Sequence, residues 1–151
     1  MAKKKNRQQQ QDLSPENYIR QRSRNLPLYK CWVNRDWASK QTAFVFVARE
    51  HVSGSLTFCM YWVDLLCLGI KDTIYKHSAS EMELQLAREY ISEYGFQFIE
   101  IPYPLAHNII YAAIEYAEEY GFNPHPNFTR VTQYLLEEDT EDIPLMKIHC
   151  G

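Results

Sequence analysis

Glycine is scarce in this chain, with five residues in 151. Neither GxGxxG nor GxxxxGK[ST] occurs, so no glycine-rich loop can let the backbone close round a phosphate. HExxH and GxSxG are missing too, which removes the common zinc-peptidase and nucleophile-elbow arrangements. The four cysteines stand at 31, 59, 67 and 150, and no pair has CxxC spacing. Zinc-ribbon and thioredoxin-type chemistry therefore finds no ligands in the right register. There is no run of about eighteen apolar residues, so no membrane-spanning helix is expected. The N-terminal MAKKKNRQQQQ has no apolar stretch behind its charges and does not read as a secretory signal. The expectation is a soluble, cytoplasmic protein.

What is present is a globular composition: 46% hydrophobic, 23% charged and 14% aromatic. A chain of this length buries enough surface to fold without staples. Cys31, Cys59 and Cys67 lie in apolar segments and are expected to act as small buried hydrophobes in a reducing compartment. The net charge of −3 hides a split. Residues 1–40 carry ten Lys and Arg against three acidic residues, a surplus of seven positive charges. Residues 41–151 carry six against sixteen, a surplus of ten negative charges. The pattern is a basic arm on an acidic body. The basic residues of 1–40 are the expected contact for a protein or nucleic acid, and the plainer reading is a solubilising tail.

Residues 1–13 are polar, with glutamine at 8–11, and are expected to be a disordered basic, Gln-rich tail. Residues 14–151 are expected to be one α+β domain. Ser14-Pro15-Glu16 reads as a helix start, with a helix to about Arg24. Strands follow at Leu28–Val33, Thr42–Arg49 and Leu56–Leu68, the last two joined by a hairpin loop at 52–55. The third run is so apolar that it is either central and covered on both faces or bent partway. Gly69 is read as its end. Ser80 and Glu83 form a capping box for a helix carrying Leu84, Ala87, Ile91 and Tyr94, closed by Gly95. A short strand at Phe96–Ile101 precedes a helix opened by Pro104, with Leu105, Ile109, Ala113, Tyr116 and Tyr120 as its stripe and Gly121 as its cap. EYISEYGF and EYAEEYGF, at the two helix ends, read as one capping solution used twice. Asn127 is the expected cap of a last helix over 128–137, followed by a strand at Ile143–Cys150. The fold class is α+β: an antiparallel sheet of three to five strands against three to four helices.

Three places could carry chemistry. Asp64 stands inside FCMYWVDLLCL, where a carboxylate is costly to bury without a partner. It could take hydrogen bonds from a nearby loop, pair with Lys71, or share a divalent ion with Asp72. His107, Tyr111 and Glu118 recur at helical spacing, giving either an acid–base line or an ordinary exposed face. His125 is clamped between Pro124 and Pro126, which aims its imidazole as a ligand or base, unless it merely caps the next helix. His149-Cys150 is a soft-metal pair too small to make a site.

VDLLCLGIKD at 63–72 and AHNIIYAAIEYAEEYGFNPHPNF at 106–128 together resemble an uncharacterised family of bacterial proteins. The likeness rests on a V-D-x-x-C-L-G-x-K-D segment and a helix ending in Y-A-x-x-x-G-F-x-P-H-x-D-F, and covers about 26–148. Asn127 stands where that pattern has Asp. The resemblance implies that Asp64, Cys67, Gly69, Lys71, Asp72, Gly121, Pro124 and His125 belong together, and that this chain is a short or truncated form. It implies no activity. Two functional expectations follow. The first is a non-catalytic interaction module with a basic N-terminal arm and no cofactor. The alternative is a small metal-dependent hydrolase or nuclease using a divalent ion, with Asp64, Asp72 and His125 as ligands or catalytic groups.

Overall fold

A computed structural model describes residues 13–151. The expected tail lies outside the described residues except for Leu13, which is half-buried. Helix α1 spans Pro15–Arg22 and is capped by the Ser14 hydroxyl, which accepts from the Asn17 amide at 3.1 Å. It ends earlier than the sequence suggests. The Ser23 hydroxyl bonds back to the Ile19 carbonyl at 2.6 Å, and the chain tightens into a 3-10 turn at Ser23–Asn25.

Strands β1 (Leu28–Asn34), β2 (Thr42–Glu50), β3 (Leu56–Asp64), β4 (Gly69–Ala79) and β5 (Phe98–Ile101) form one antiparallel sheet in the order β4-β3-β2-β1-β5. A four-residue helix α2, Trp37–Lys40, joins β1 to β2. Helix α3 spans Glu81–Ser92 and leaves the β4 edge, so that β5 is added at the far edge beside β1. Helix α4 spans Tyr103–Glu119, and α5 spans Pro126–Arg130 before a 3-10 turn at Thr132–Leu135. The expected α+β architecture is the one observed. No described helix is long and apolar enough to cross a membrane.

Both faces of the sheet are covered, which explains why β2 and β3 read as continuous apolar runs. One face carries Val45, Val47, Cys59, Tyr61 and Val63 against Ile109, Ile110 and Ala113 of α4, with Ile19 and Leu135. The other carries Phe46, Phe58 and Met60 against Leu84 of α3, with Ala87 and Ile91 alongside. Each large side chain buried this way contributes about 1.5–3 kcal/mol. Arg49 is 1% exposed within this core. Its guanidinium donates to the carbonyls of Leu135 at 2.7 Å and Leu26 at 2.6 Å, and meets Glu137 at 3.2 Å.

Several expectations need correction. The third apolar run is both central and bent: β3 stops at Asp64, and Gly69 begins β4. Strand β4 escapes a period-two reading because the pairing slips between Trp62 and Val63, which breaks the alternation. The buried stripe of α4 runs through Ala106, Ile109, Ile110, Ala113 and Ala117, while Tyr120 is exposed. His125, not Asn127, caps α5, its ring nitrogen accepting from the Asn127 amide at 3.1 Å. Residues 143–150 form no strand. Side chains take up their backbone groups instead: Asn108 binds the Pro144 carbonyl and the Met146 amide, and Gln41 binds the His149 carbonyl.

Candidate functional site

The turn after β3 is organised by Asp64. One carboxylate oxygen accepts from the Leu66 amide at 3.2 Å and the other from the Leu68 amide at 2.9 Å. Asp64 is half-buried, and its partners are turn amides, one of the roles open to it in the sequence. Lys71 is not among them: its ammonium lies 4.3 Å from the centre of the Trp62 ring. Gly69 pairs with Asp64 at φ +72°, and a Cβ there would come 3.0 Å from the Ala117 methyl and 3.4 Å from the Ala113 carbonyl. The glycine is what lets α4 approach the hairpin end.

Asp72 and His125 are brought together. The His125 amide donates to the Ile70 carbonyl at 3.0 Å, fastening the loop before α5 to the outer edge of β4. Its Nδ1 accepts from Asn127, so the hydrogen-bond pattern assigns the proton of the neutral ring to Nε2. Nε2 stands 3.8 Å from the Asp72 carboxylate, too long for a hydrogen bond but close enough for charge pairing once the ring is protonated. Asp64 is tied to its own turn. Among the described residues, no group of three or more His, Cys, Asp or Glu side chains converges to hold a metal ion. The two sequence segments singled out above thus meet as one structural unit: a capped turn, a close helix approach and a loop tied to a strand edge.

His107, Tyr111 and Glu118 do not form an exposed line. His107 is 1% exposed, Tyr111 packs its ring 4.6 Å from the imidazole, and Glu118 faces solvent. The partners of His107 are the Tyr103 hydroxyl at 2.8 Å and the Asp139 carboxylate at 3.0 Å. The Tyr103 oxygen already accepts from the Glu137 amide at 2.7 Å, so its proton goes to His107 Nδ1 and the Nε2 proton to Asp139. Burial raises the Tyr103 pKa well above the ordinary phenol value. This chain of bonds fastens residues 137–139 onto α4. Residue spacing on a single helix could not reveal it, because Asp139 arrives from a distant loop.

A second histidine arrangement was not visible in the sequence. His51 Nε2 lies 2.7 Å, and His77 Nδ1 2.9 Å, from the same Thr57 hydroxyl oxygen. Tyr18 of α1 packs its ring 4.3 Å from His77. Burial lowers the pKa of both imidazoles, and the charge of His51 lowers that of His77 further. Cys31 and Cys59 behave as expected of buried hydrophobes, burial pushing both thiols up to about 12, which leaves them unreactive, whereas Cys67, in the turn after β3, is only half-buried. All four cysteines are free.

A recess lined mainly by apolar side chains, with Thr42 at its edge, lies on the α3 face of the sheet and is about 420 Å³ in volume. Helix α3 covers only part of that face. Its floor is Phe44, Met60 and Trp62, its wall is Tyr90, Ile91 and Tyr94, and Phe96 closes one end. Phe44 stacks on Trp62 at 5.5 Å with a 24° tilt and meets Phe96 edge-on at 4.9 Å. Lys71 sits over Trp62 at one end of this aromatic row, and Lys40 sits 5.0 Å over Phe96 at the other. Beyond the groove, Met82, Leu86, Tyr90 and Tyr94 make an exposed apolar stripe along α3 and the turn after it, at intervals of four residues. The sequence placed Tyr94 on the inward stripe with Leu84, Ala87 and Ile91, but it lies past the end of α3 and is exposed, on the outward stripe to which no role was assigned.

No protein-family model, curated protein or solved structure matches the chain.

Proposed function

We propose that this chain is a non-catalytic binding module whose working surface is the apolar groove on the α3 face. The groove itself carries the reading. A concave site of a few hundred Å³, lined by aromatic and aliphatic side chains and one threonine with no charged residue among them, has the character of a ligand or anchor site. The exposed stripe on α3 extends the same surface. Single exposed hydrophobics need no explanation, but a contiguous set beside a recess does. The basic N-terminal segment is a secondary, electrostatic contact. Within it, Arg24, Lys30 and Lys40 already pair with Glu138, Glu100 and Asp36, whereas Arg20, Arg22 and Arg35 are exposed with no carboxylate partner among the described residues. The resemblance of the 63–72 and 106–128 segments to a bacterial family is compatible with this reading, since apart from Lys71 those residues build the hairpin end and the helix packed on it.

The alternative, a metal-dependent hydrolase, rests on the Asp72–His125 approach alone. One titration series separates the two. Amide and side-chain NMR of the full chain is followed with neutral apolar probes (indole, cyclohexanol) and, separately, with manganese and zinc ions. The binding-module reading expects saturable shifts from the apolar probes confined to Phe44, Met60, Trp62, Tyr90 and Tyr94. Shifts that are absent or scattered remove it. Saturable metal effects centred on Asp72 and His125, with ester or phosphodiester cleavage lost in His125→Ala, would put the hydrolase in its place.

A further inference from the structure

The charges around the groove are not equivalent, and their difference bears on what the groove takes. Lys40, at the Phe96 end, is already paired with Asp36 at 3.1 Å. At the Trp62 end, the two nearest carboxylates in sequence are engaged elsewhere. Asp64 accepts the Leu66 and Leu68 amides, and Asp72 accepts the Thr73 amide at 2.8 Å while facing His125. Among the described residues Lys71 has no carboxylate within ion-pair distance, and its side chain lies over the indole that floors the groove. The result is an apolar slot bounded on its Trp62 side by a cation that has no carboxylate partner among the described residues. We propose that the groove binds a flat aromatic monoanion, with its ring system against Phe44 and Trp62 and its carboxylate on Lys71.

The near-parallel Phe44 and Trp62 give the slot a flat aromatic floor, which suits a planar ring better than a bulky aliphatic group. Tyr90 of α3 and Tyr94 of the turn after it form a wall of two exposed rings 6.0 Å apart along the slot. The overall charge argues for a small molecule over an acidic peptide or a nucleic acid. Residues 41–151 carry a surplus of ten negative charges, and Glu89 and Glu93 flank the tyrosine wall. A polyanion laid across this surface would meet that field along its length, whereas a monoanion meets one lysine. The basic segment 3–7 is no competitor for the slot, because MAKKKNRQQQQ has no aromatic or branched aliphatic anchor to fill it.

This inference rests on the binding-module reading but fails separately from it. The test uses the full chain and a matched pair, 2-naphthoate and 2-naphthalenemethanol, which share a ring system and differ in charge. Binding is measured by calorimetry and located by the Trp62 indole NMR signal. Naphthoate should bind about tenfold tighter than the alcohol. Lys71→Met, which keeps the aliphatic stem, should bring naphthoate down to the alcohol's affinity, and raised salt should do the same in the native chain. Trp62→Ala should weaken both probes, with circular dichroism and melting confirming that the variants fold. Equal affinity for the two probes, or a preference that survives in Lys71→Met, overturns the anion assignment and leaves the groove as a neutral apolar site. Binding that does not move the Trp62 signal overturns the assignment to this groove. If neither naphthalene binds while indole and cyclohexanol do, the ligand class is wrong and the binding module stands. If no apolar probe binds, both fall.

Discussion

Asp64 looked anomalous in a run of apolar residues, and the anomaly disappears once the run is divided. It is the last residue of a strand, where a carboxylate can collect the amides of the turn that follows. Asp64→Ala should therefore cost about 1.5 kcal/mol through those two amides. Lys71→Ala should cost about 0.5 kcal/mol, the worth of an exposed cation over an aromatic face. Urea denaturation of the two variants gives the comparison. A larger loss for Lys71→Ala than for Asp64→Ala would mean that the lysine, not the turn, supports the carboxylate.

Among the elements, the helix ends were the most legible in sequence. Gly95 and Gly121 both have positive φ, +96° and +83°, as the paired EYGF endings indicate. A Cβ at either meets nothing within 4 Å, so Gly95→Ala and Gly121→Ala should each cost only the left-handed backbone penalty, about 1 kcal/mol. Gly69→Ala adds a clash with α4 to the same penalty and should cost more than either. Thermal melts of the three variants would show this order, and a Gly69 variant as stable as the other two would contradict the close approach. The caps at Ser14, Ser80, Gly95 and Gly121, strand β2, the start of β3 and the hairpin between them were legible because their signals are local: a serine three residues before a glutamate, a branched apolar run, a glycine after a stripe; the cap by His125 and the end of β3 at Asp64 were not. Strand β4 was not, because its alternation is broken by a bulge that only its pairing with β3 defines. The groove was harder still. Phe44, Met60 and Trp62 read in sequence as ordinary core, and nothing local says that α3 stops short of covering them. Asp72 and His125 could be named as candidates from their neighbours, but their approach depends on how α5 meets the β4 edge.

At the scale of the whole molecule, stability should depend on pH through the His51–Thr57–His77 cluster, which sits where Tyr18 of α1 packs on the sheet. Both imidazoles titrate below their ordinary value of 6.5 in the folded chain, because burial disfavours the charged form. The unfolded chain then takes up protons first as pH falls, so unfolding becomes easier. Their contribution is complete above the ordinary histidine value and declines as pH drops through it toward the lowered folded values. The melting temperature should fall between about pH 7.5 and pH 5, and the fall should be shallower in a His51→Gln, His77→Gln double variant. An unchanged slope in that variant would assign the acid sensitivity to other groups.

Arg49 has a consequence for the order of events on the ribosome. It belongs to a strand made early, but two of its partners, the Leu135 carbonyl and the Glu137 carboxylate, lie 86 and 88 residues further along the chain. Until those residues emerge from the exit tunnel, its guanidinium has only the Leu26 and Arg24 carbonyls to replace its water. Sealing it into the core at that stage would strand a cation with half its donors unused. The growing polypeptide then keeps the Arg49 end of the sheet hydrated, with Leu135 and Leu136 not yet in place against it. Structure acquired before residues 135–137 emerge is then confined to hairpins and single helices, and the core closes round Arg49 only once they are out, leaving an apolar surface open for chaperones to hold in the interval.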